Sequence, residues 1–342
     1  VITDARVFQD TFVPEEVVHR NTELTHLSGV LAPVLRGEPA ETAAIFGPTG
    51  VGKTCCARYA VEQLCENSFN VRTQYVNCWQ DYNRYRVLYR LLEGLDRTFD
   101  IHRQSTPRDV LYDRIREANE DPYVVVLDEV DQLEEKDVLY DLYTLPHISL
   151  ILIANDEQEF YSNLGDRLYS RLTGSERIQF DPYSLDEIIA ILDARANSGL
   201  ADGVVSPAQL ELIADRAAGD ARVAIGILRT AARKAHRDGA ESLTAELIEA
   251  AVPDTRSELR QKTIEQLSHD QQVLYKIIEE HGEITPGTLY EEYEQRCDDP
   301  KSRRSVRNYL GKMEHYHLID AEGEKRARVY RLSESAFGAR NS

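Results

Sequence analysis

The sequence predicts an α/β domain, a parallel sheet with helices on both faces, then an all-helical segment, then three helices and a hairpin. Three observations carry that expectation. Up to Ser184, short apolar runs alternate with stretches of helical periodicity. A glycine-rich loop, "GPTGVGKT" (Gly47–Thr54), lies between an apolar strand and a helix. Beyond Ser184 the apolar spacing is helical throughout, to about Ala251.

In chain order, "ELTHLSGVLAPVLRG" has helical spacing and stops at Gly37, a C-terminal helix signal. "TAAIF" is a strand ending at the glycine loop, "KTCCARYAVEQLCENS" is a helix, and "VRTQYVNC" is a second strand. From Trp79 to Arg116 the pattern is helical, interrupted near "HRQSTP". There Tyr85, Leu88 and Leu92 read as a core stripe, although "DYNRYRVLYR" also has a composition compatible with a DNA contact. "YVVVLDEVDQL" and "ISLILIANDEQEF" are apolar runs ending in polar residues, and "ERIQFDPYS" is a last short strand. "VPDTRSELRQKT" is polar, contains Pro253 and reads as a linker.

Composition narrows the class. No run of eighteen apolar residues exists, so no membrane span or membrane partner is expected. "VITDARVFQD" lacks the basic-then-apolar layout of a signal peptide, which points to a cytoplasmic protein. Five cysteines (Cys55, Cys56, Cys65, Cys78 and Cys297) form no C-x-x-C pair, which argues against a disulfide framework or a zinc site. The formal charge is -19, and only eight of the 40 basic residues are Lys. That bias fits a cytosol of very high salt, where carboxylates keep a surface hydrated; the plain alternative is an ordinary acidic protein.

"GPTGVGKT" fits G-x-x-x-x-G-K-[ST] at every fixed position. Gly47, Gly50 and Gly52 let backbone N–H groups turn toward phosphate oxygens, and Pro48, Thr49 and Val51 complete the loop. Lys53 reaches the β- and γ-phosphates, and Thr54 offers a hydroxyl to Mg²⁺. Asp128 and Glu129 end a buried strand, where ligands of parallel sheets gather; Asp128 can hold the metal and Glu129 can polarise water. Asn155 sits just past another strand and can orient water or touch a γ-phosphate, or simply make an Asx turn. Arg167 and Arg171 precede a strand, and Arg222 opens a helix; each can stabilise phosphoryl charge or be a solvated helix arginine.

These residues in this order resemble the AAA+ ATPases. More narrowly they are similar to the archaeal replication initiators related to the origin recognition complex and the cell division control ATPase. "VPEEVVHRNTEL" is similar to that family's segment bordering adenine, and "YVNC" with "RYRVLYRLLEGL" to the start of its helical insertion, here about residues 81–103. The resemblance covers nearly the whole chain. It implies an AAA+ P-loop ATPase domain over 1–183, an all-α lid over 184–252 and a winged-helix domain over 262–342. Lys53 and Thr54 match Walker A, Asp128 and Glu129 Walker B, Asn155 sensor one and Arg222 sensor two. Arg171 matches the finger that reaches a neighbour's ATP, with Arg167 left as the other choice. Val18, His19 and Arg20 fall in the adenine segment. ATP or ADP with Mg²⁺, slow hydrolysis, double-stranded origin DNA, a replicative helicase and association with copies or paralogues on DNA are all implied. The acidic, Lys-poor surface departs from the family.

The negative excess stops near the last domain. Residues 300–331 carry nine basic and four acidic side chains, a local +5 on an acidic protein. "SHDQQVLYKIIEEHG", "TPGTLYEEYEQRC" and "DDPKSRRSVRNYLGKMEHYHLI" read as three helices, and "AEGEKRARVYRL" as a basic hairpin, the make-up of a winged helix-turn-helix. Ser302, Arg303, Arg304, Arg307 and Asn308 lie in the first turns of the third helix, where base edges are reached. Lys325, Arg326 and Arg328 on the hairpin suit phosphates or the minor groove. Three readings follow: an origin-binding initiator, an ATP-switched transcription regulator, and a clamp-loader-like ATPase. The terminal winged helix speaks against the third.

Overall fold

The structure, a computed structural model, describes residues 1–68, 70–101, 106–118, 121–323 and 328–333. The chain forms two compact units, Val1–Thr244 and Ala245–Ser342.

The first unit is organised by five parallel strands: β1 (Ala43–Phe46), β2 (Arg72–Asn77), β3 (Tyr123–Asp128), β4 (Ile148–Ala154) and β5 (Glu176–Gln179), in the order β2-β3-β4-β1-β5. Strand alternation divides its side chains between two cores. Tyr123, Val125 and Leu127 of β3 and Leu150 and Leu152 of β4 face one; Val124, Val126, Ile151 and Ile153 face the other. Because both faces are covered, the strands read as continuous apolar runs.

α1 (Asn21–Leu31) and α2 (Lys53–Glu66) supply one core through Leu27, Leu31, Ala57 and Leu64. α3 (Arg84–Gly94), α4 (Arg108–Glu117) and α5 (Asp137–Tyr143) supply the other through Leu88, Leu92, Leu111, Ile115 and Leu139. The stripe expected at Tyr85, Leu88 and Leu92 is therefore core: both leucines are fully buried and Tyr85 packs against them. Two short helices, α6 (Glu157–Ser162) and α7 (Asp166–Leu172), lead back to β5. The helical part follows: α8 (Leu185–Gly199), opened by a Ser184–Glu187 capping box, α9 (Pro207–Ala217) and α10 (Ala221–Arg237).

The second unit begins with α11 (Ala245–Gln266), and here the sequence reading needs correction. The expected linker around Pro253 is the interior of this 22-residue helix. Proline removes one backbone donor and strains the preceding turn. Ile248, Val252, Thr255, Leu259 and Thr263 nonetheless form a buried stripe at helical spacing that outweighs the break. α12 (His269–His281), β6 (Glu283–Ile284), α13 (Pro286–Arg296), α14 (Arg303–His315), β7 (Ile319–Glu322) and β8 (Val329–Leu332) follow. The strands form an antiparallel sheet in the order β6-β8-β7, so the three helices and the hairpin stand as the sequence predicts. The hairpin tip, with Lys325 and Arg326, lies outside the described residues. No helix among the described residues is long and apolar enough to cross a membrane.

Candidate nucleotide site

The site forms where the parallel strands end. The glycine loop leaves β1, Asp128 closes β3, and Asn155 follows β4. Two glycines are required by close approach. Gly47 has φ 148°, and a Cβ there would stand 2.2 Å from the Phe180 carbonyl oxygen. Gly50 has φ 76°, and a Cβ would meet the Asp220 carboxylate at 2.0 Å.

Lys53 opens α2 and is 8% exposed. Its ammonium donates to the carbonyls of Gly47 at 2.5 Å and Pro48 at 2.7 Å and to Asn155 Oδ1 at 3.0 Å. Burial pushes its pKa down to about 8, against the pull of Asp128, Asp131 and Glu129 and with the nearby charge of Arg222 adding to the lowering. Three donors converge on Asp128. The Thr54 hydroxyl reaches Oδ2 at 2.6 Å, the Tyr75 hydroxyl reaches the same oxygen at 2.7 Å, and the Glu129 N–H reaches Oδ1 at 2.9 Å. Glu129 itself is held in the left-handed region, φ 56° and ψ 47°, a conformation that costs a non-glycine residue and concentrates at functional sites.

The helical part touches the loop. Asp220 caps α10 by accepting from the Arg222 and Val223 N–H groups at 2.8 and 3.1 Å, and the Ala221 N–H donates to the Gly50 carbonyl at 3.1 Å. Arg222 is thereby brought to the loop. Arg167 and Arg171 are not. Both lie on α7 over the ring of Tyr140, at 4.1 and 4.9 Å, and Arg171 donates to the Arg167 carbonyl.

In the segment before α1, Val18 is half-buried and His19 is exposed with φ 58°. Arg20 is buried and works as a tie. It donates to the carbonyls of Val51 at 3.2 Å and Asp181 at 2.7 Å, pairs with Glu23 at 2.8 Å and stacks 4.0 Å over Tyr183. Tyr75 and Asp220 are the two site residues that sequence reasoning missed. Tyr75 stands inside the quoted stretch "YVNC" and Asp220 two residues before Arg222, but only the neighbouring of strands and of α10 with the loop gives each a role.

On α14, Ser302 caps the helix by accepting from Ser305 N–H at 3.2 Å. Arg303, Arg304, Arg307 and Asn308 are exposed, while Val306, Leu310 and Met313 are buried on the opposite side. Arg303 stacks 4.6 Å over Tyr290 of α13. Arg328 pairs with Glu314 at 3.0 Å, so its charge is partly spoken for.

The family model described as an AAA domain matches residues 37–160, and the one described as a Cdc6 AAA+ ATPase-type lid domain matches residues 189–252. ORC1-type DNA replication protein 1 of Halobacterium salinarum is 54% identical over 308 residues, covering 90% of this chain and 100% of that protein. The chain belongs to the ORC1-type DNA replication proteins. A second member, ORC1-type DNA replication protein 9 of the same organism, is 47% identical over 335 residues, covering 98% of this chain and 95% of that one. The structure of the Aeropyrum pernix ORC1 protein in complex with DNA matches with a TM-score of 0.79 at 26% identity, covering 97% of this chain and 94% of that one. This ORC1-type protein is thus a replication initiator built on a nucleotide-binding AAA+ ATPase. Its acidic, Lys-poor composition fits its Halobacterium relatives.

Proposed function

We propose that this ORC1-type initiator binds double-stranded origin DNA through α14 and the β7–β8 hairpin and uses ATP and ADP as a switch for recruiting or loading the replicative helicase. The observation that carries the reading is the convergence of Lys53, Thr54, Asp128, Glu129 and Asn155 at one edge of the sheet, in contact with the start of α10. Lys53 gives up the loop carbonyls and binds phosphate oxygens. Glu129 orients and deprotonates the attacking water, Asn155 fixes its line of approach, and Arg222 meets the terminal phosphate from the lid side.

Thr54 and Asp128 present hard oxygen donors side by side, which suits Mg²⁺. Among the described residues no cluster of three or more metal-binding side chains exists, in keeping with a cation that takes the rest of its shell from phosphates and water. Bound there, Mg²⁺ would neutralise charge on the phosphates. Arg171, with Arg167 beside it, is the candidate for reaching a neighbouring copy's nucleotide.

On the DNA side, Arg304, Arg307 and Asn308 are free of the helix's buried face and suit guanine and adenine edges. High salt weakens counterion release, so base contacts and DNA shape carry more of the affinity than in a Lys-rich protein. The test is to map the protein across its own genome. Occupancy concentrated at one repeat-rich, A·T-rich locus where replication starts supports the reading. Occupancy spread over promoters, with replication starting elsewhere, overturns it in favour of a transcription regulator.

A further inference from the structure

Asp128 is steered from a strand that carries none of the phosphate-binding residues. Tyr75 lies on β2, the edge neighbour of β3, paired in register with Val126. Its hydroxyl runs along the strand to Asp128 Oδ2 at 2.7 Å, the oxygen that also takes the Thr54 hydroxyl at 2.6 Å. The Tyr75 ring is held in turn. The Arg58 guanidinium stacks on its face at 4.1 Å. Arg58 is four residues beyond Thr54 on α2, so both project from the same side of that helix. Thr54, Asp128, Tyr75 and Arg58 therefore close a ring of contacts: the helix that offers the metal-facing hydroxyl also clamps the tyrosine that holds the metal-facing carboxylate.

Resting on the magnesium reading above, we propose that Tyr75 is a positioning residue for that metal site. Its phenol O–H fixes the Asp128 carboxylate in one orientation before the metal arrives, and Arg58 fixes the phenol. A hydrogen bond from a neutral hydroxyl to a carboxylate is charge-assisted and short, as observed. Donors of this kind orient metal ligands and set much of a site's affinity. Without Tyr75, Asp128 keeps the Thr54 hydroxyl, which the metal also engages, and the N–H of Glu129, which constrains only Oδ1. Oδ2 then keeps one of its two donors, the one that must be shared with the metal, and the carboxylate is less firmly oriented.

Tyr75→Phe tests this in the full chain, because it removes the hydroxyl and keeps the ring under Arg58. ADP affinity is read with a fluorescent ADP analogue in EDTA and across a Mg²⁺ titration, for wild type, Tyr75→Phe and Arg58→Ala. The expected result is unchanged metal-free affinity in Tyr75→Phe and a Mg²⁺ half-saturation raised about tenfold or more. Arg58→Ala should shift it less, in the same direction. A Tyr75→Phe titration that superposes on a Mg²⁺-responsive wild type overturns the inference and leaves the magnesium reading standing. An equal loss of affinity with and without metal overturns it too, since that is a packing effect. A wild type indifferent to Mg²⁺ overturns the magnesium reading and the inference together.

Discussion

The Lys53 ammonium donates to the Asn155 side-chain oxygen at 3.0 Å, which joins the phosphate loop after β1 to the end of β4. The other two acceptors of the lysine are carbonyls of its own loop, Gly47 and Pro48. The two residues should therefore separate on mutation. Lys53→Ala removes the loop's own cation and should abolish ATP and ADP binding in equilibrium dialysis. Asn155→Ala leaves the loop intact and should keep ADP affinity within a few-fold while lowering single-turnover hydrolysis about 10²-fold, the scale of losing a positioned polar group. Equal loss of binding in both variants would place Asn155 in ground-state affinity instead.

Glu129→Gln should keep nucleotide and lose turnover, since an amide cannot take the water's proton. The left-handed backbone at Glu129 tolerates glutamine as it tolerates glutamate, so stability should be unchanged. Thermal unfolding with and without ADP, beside phosphate release, separates the two effects.

The buried Lys53 predicts a pH dependence. Burial places its pKa at about 8, below the ~10.4 of an unfolded chain. Between those values the unfolded chain holds more protons, so stability of the nucleotide-free protein rises as pH climbs from about 8 to about 10.4. Below about 8 the lysine is charged in both states and the burial cost stands in full. Phosphates favour the charged form, so ADP binding above about pH 8 should take up a proton and weaken with rising pH. Calorimetry in two buffers of different ionisation enthalpy should give proton uptake at pH 8.5 and little at pH 6.5 from this group. Equal uptake at both would assign the proton elsewhere.

Gly50 and Asp220 test the contact between the loop and α10. Gly50→Ala forces a Cβ into the left-handed region, at about 1–2 kcal/mol, and against the Asp220 carboxylate. Asp220→Ala alone loses the α10 cap, at about 1 kcal/mol. The double variant should be less destabilised than the sum, because the second change removes the obstacle met by the first. Additive unfolding free energies in a denaturant series would show that the loop and α10 do not press on each other.

The phosphate residues were legible because each is fixed by spacing within one stretch. "GPTGVGKT", "LDEVDQ" and the Asn after "LILIA" all end strands, and the parallel sheet does the rest. Tyr75 was not legible. Its partner lies across the β2–β3 pairing, and pattern alone does not give strand order. Helices α5 to α7 leave little trace in the pattern, because six or seven residues give barely two turns in which to see a period. Pro253 reads as a break because a local breaker is a strong signal in sequence, whereas the buried stripe from Ile248 to Thr263 is a tertiary one. Lysine's burial and Arg328's pairing with Glu314 likewise depend on neighbours distant in the chain.

That last pairing sharpens the expectation for DNA. Arg304 and Arg307 are exposed on α14, placed for base edges, whereas Arg328 already has a carboxylate partner and would have to share its charge with a phosphate. Arg304→Ala or Arg307→Ala should cost about 1–3 kcal/mol on a specific duplex and relax preference at one base position. Arg328→Ala should weaken specific and scrambled duplexes alike and lower the salt slope by at most about one, less if Glu314 keeps the charge neutralised. Glu314→Gln frees Arg328, and should steepen the slope and tighten binding to any sequence. Affinities for both duplexes, measured from low to molar salt for each variant, separate these outcomes. If the α14 variants lose specific and scrambled binding equally, α14 is an electrostatic surface and not the reading helix. If Glu314→Gln changes nothing, Arg328 does not meet the phosphates.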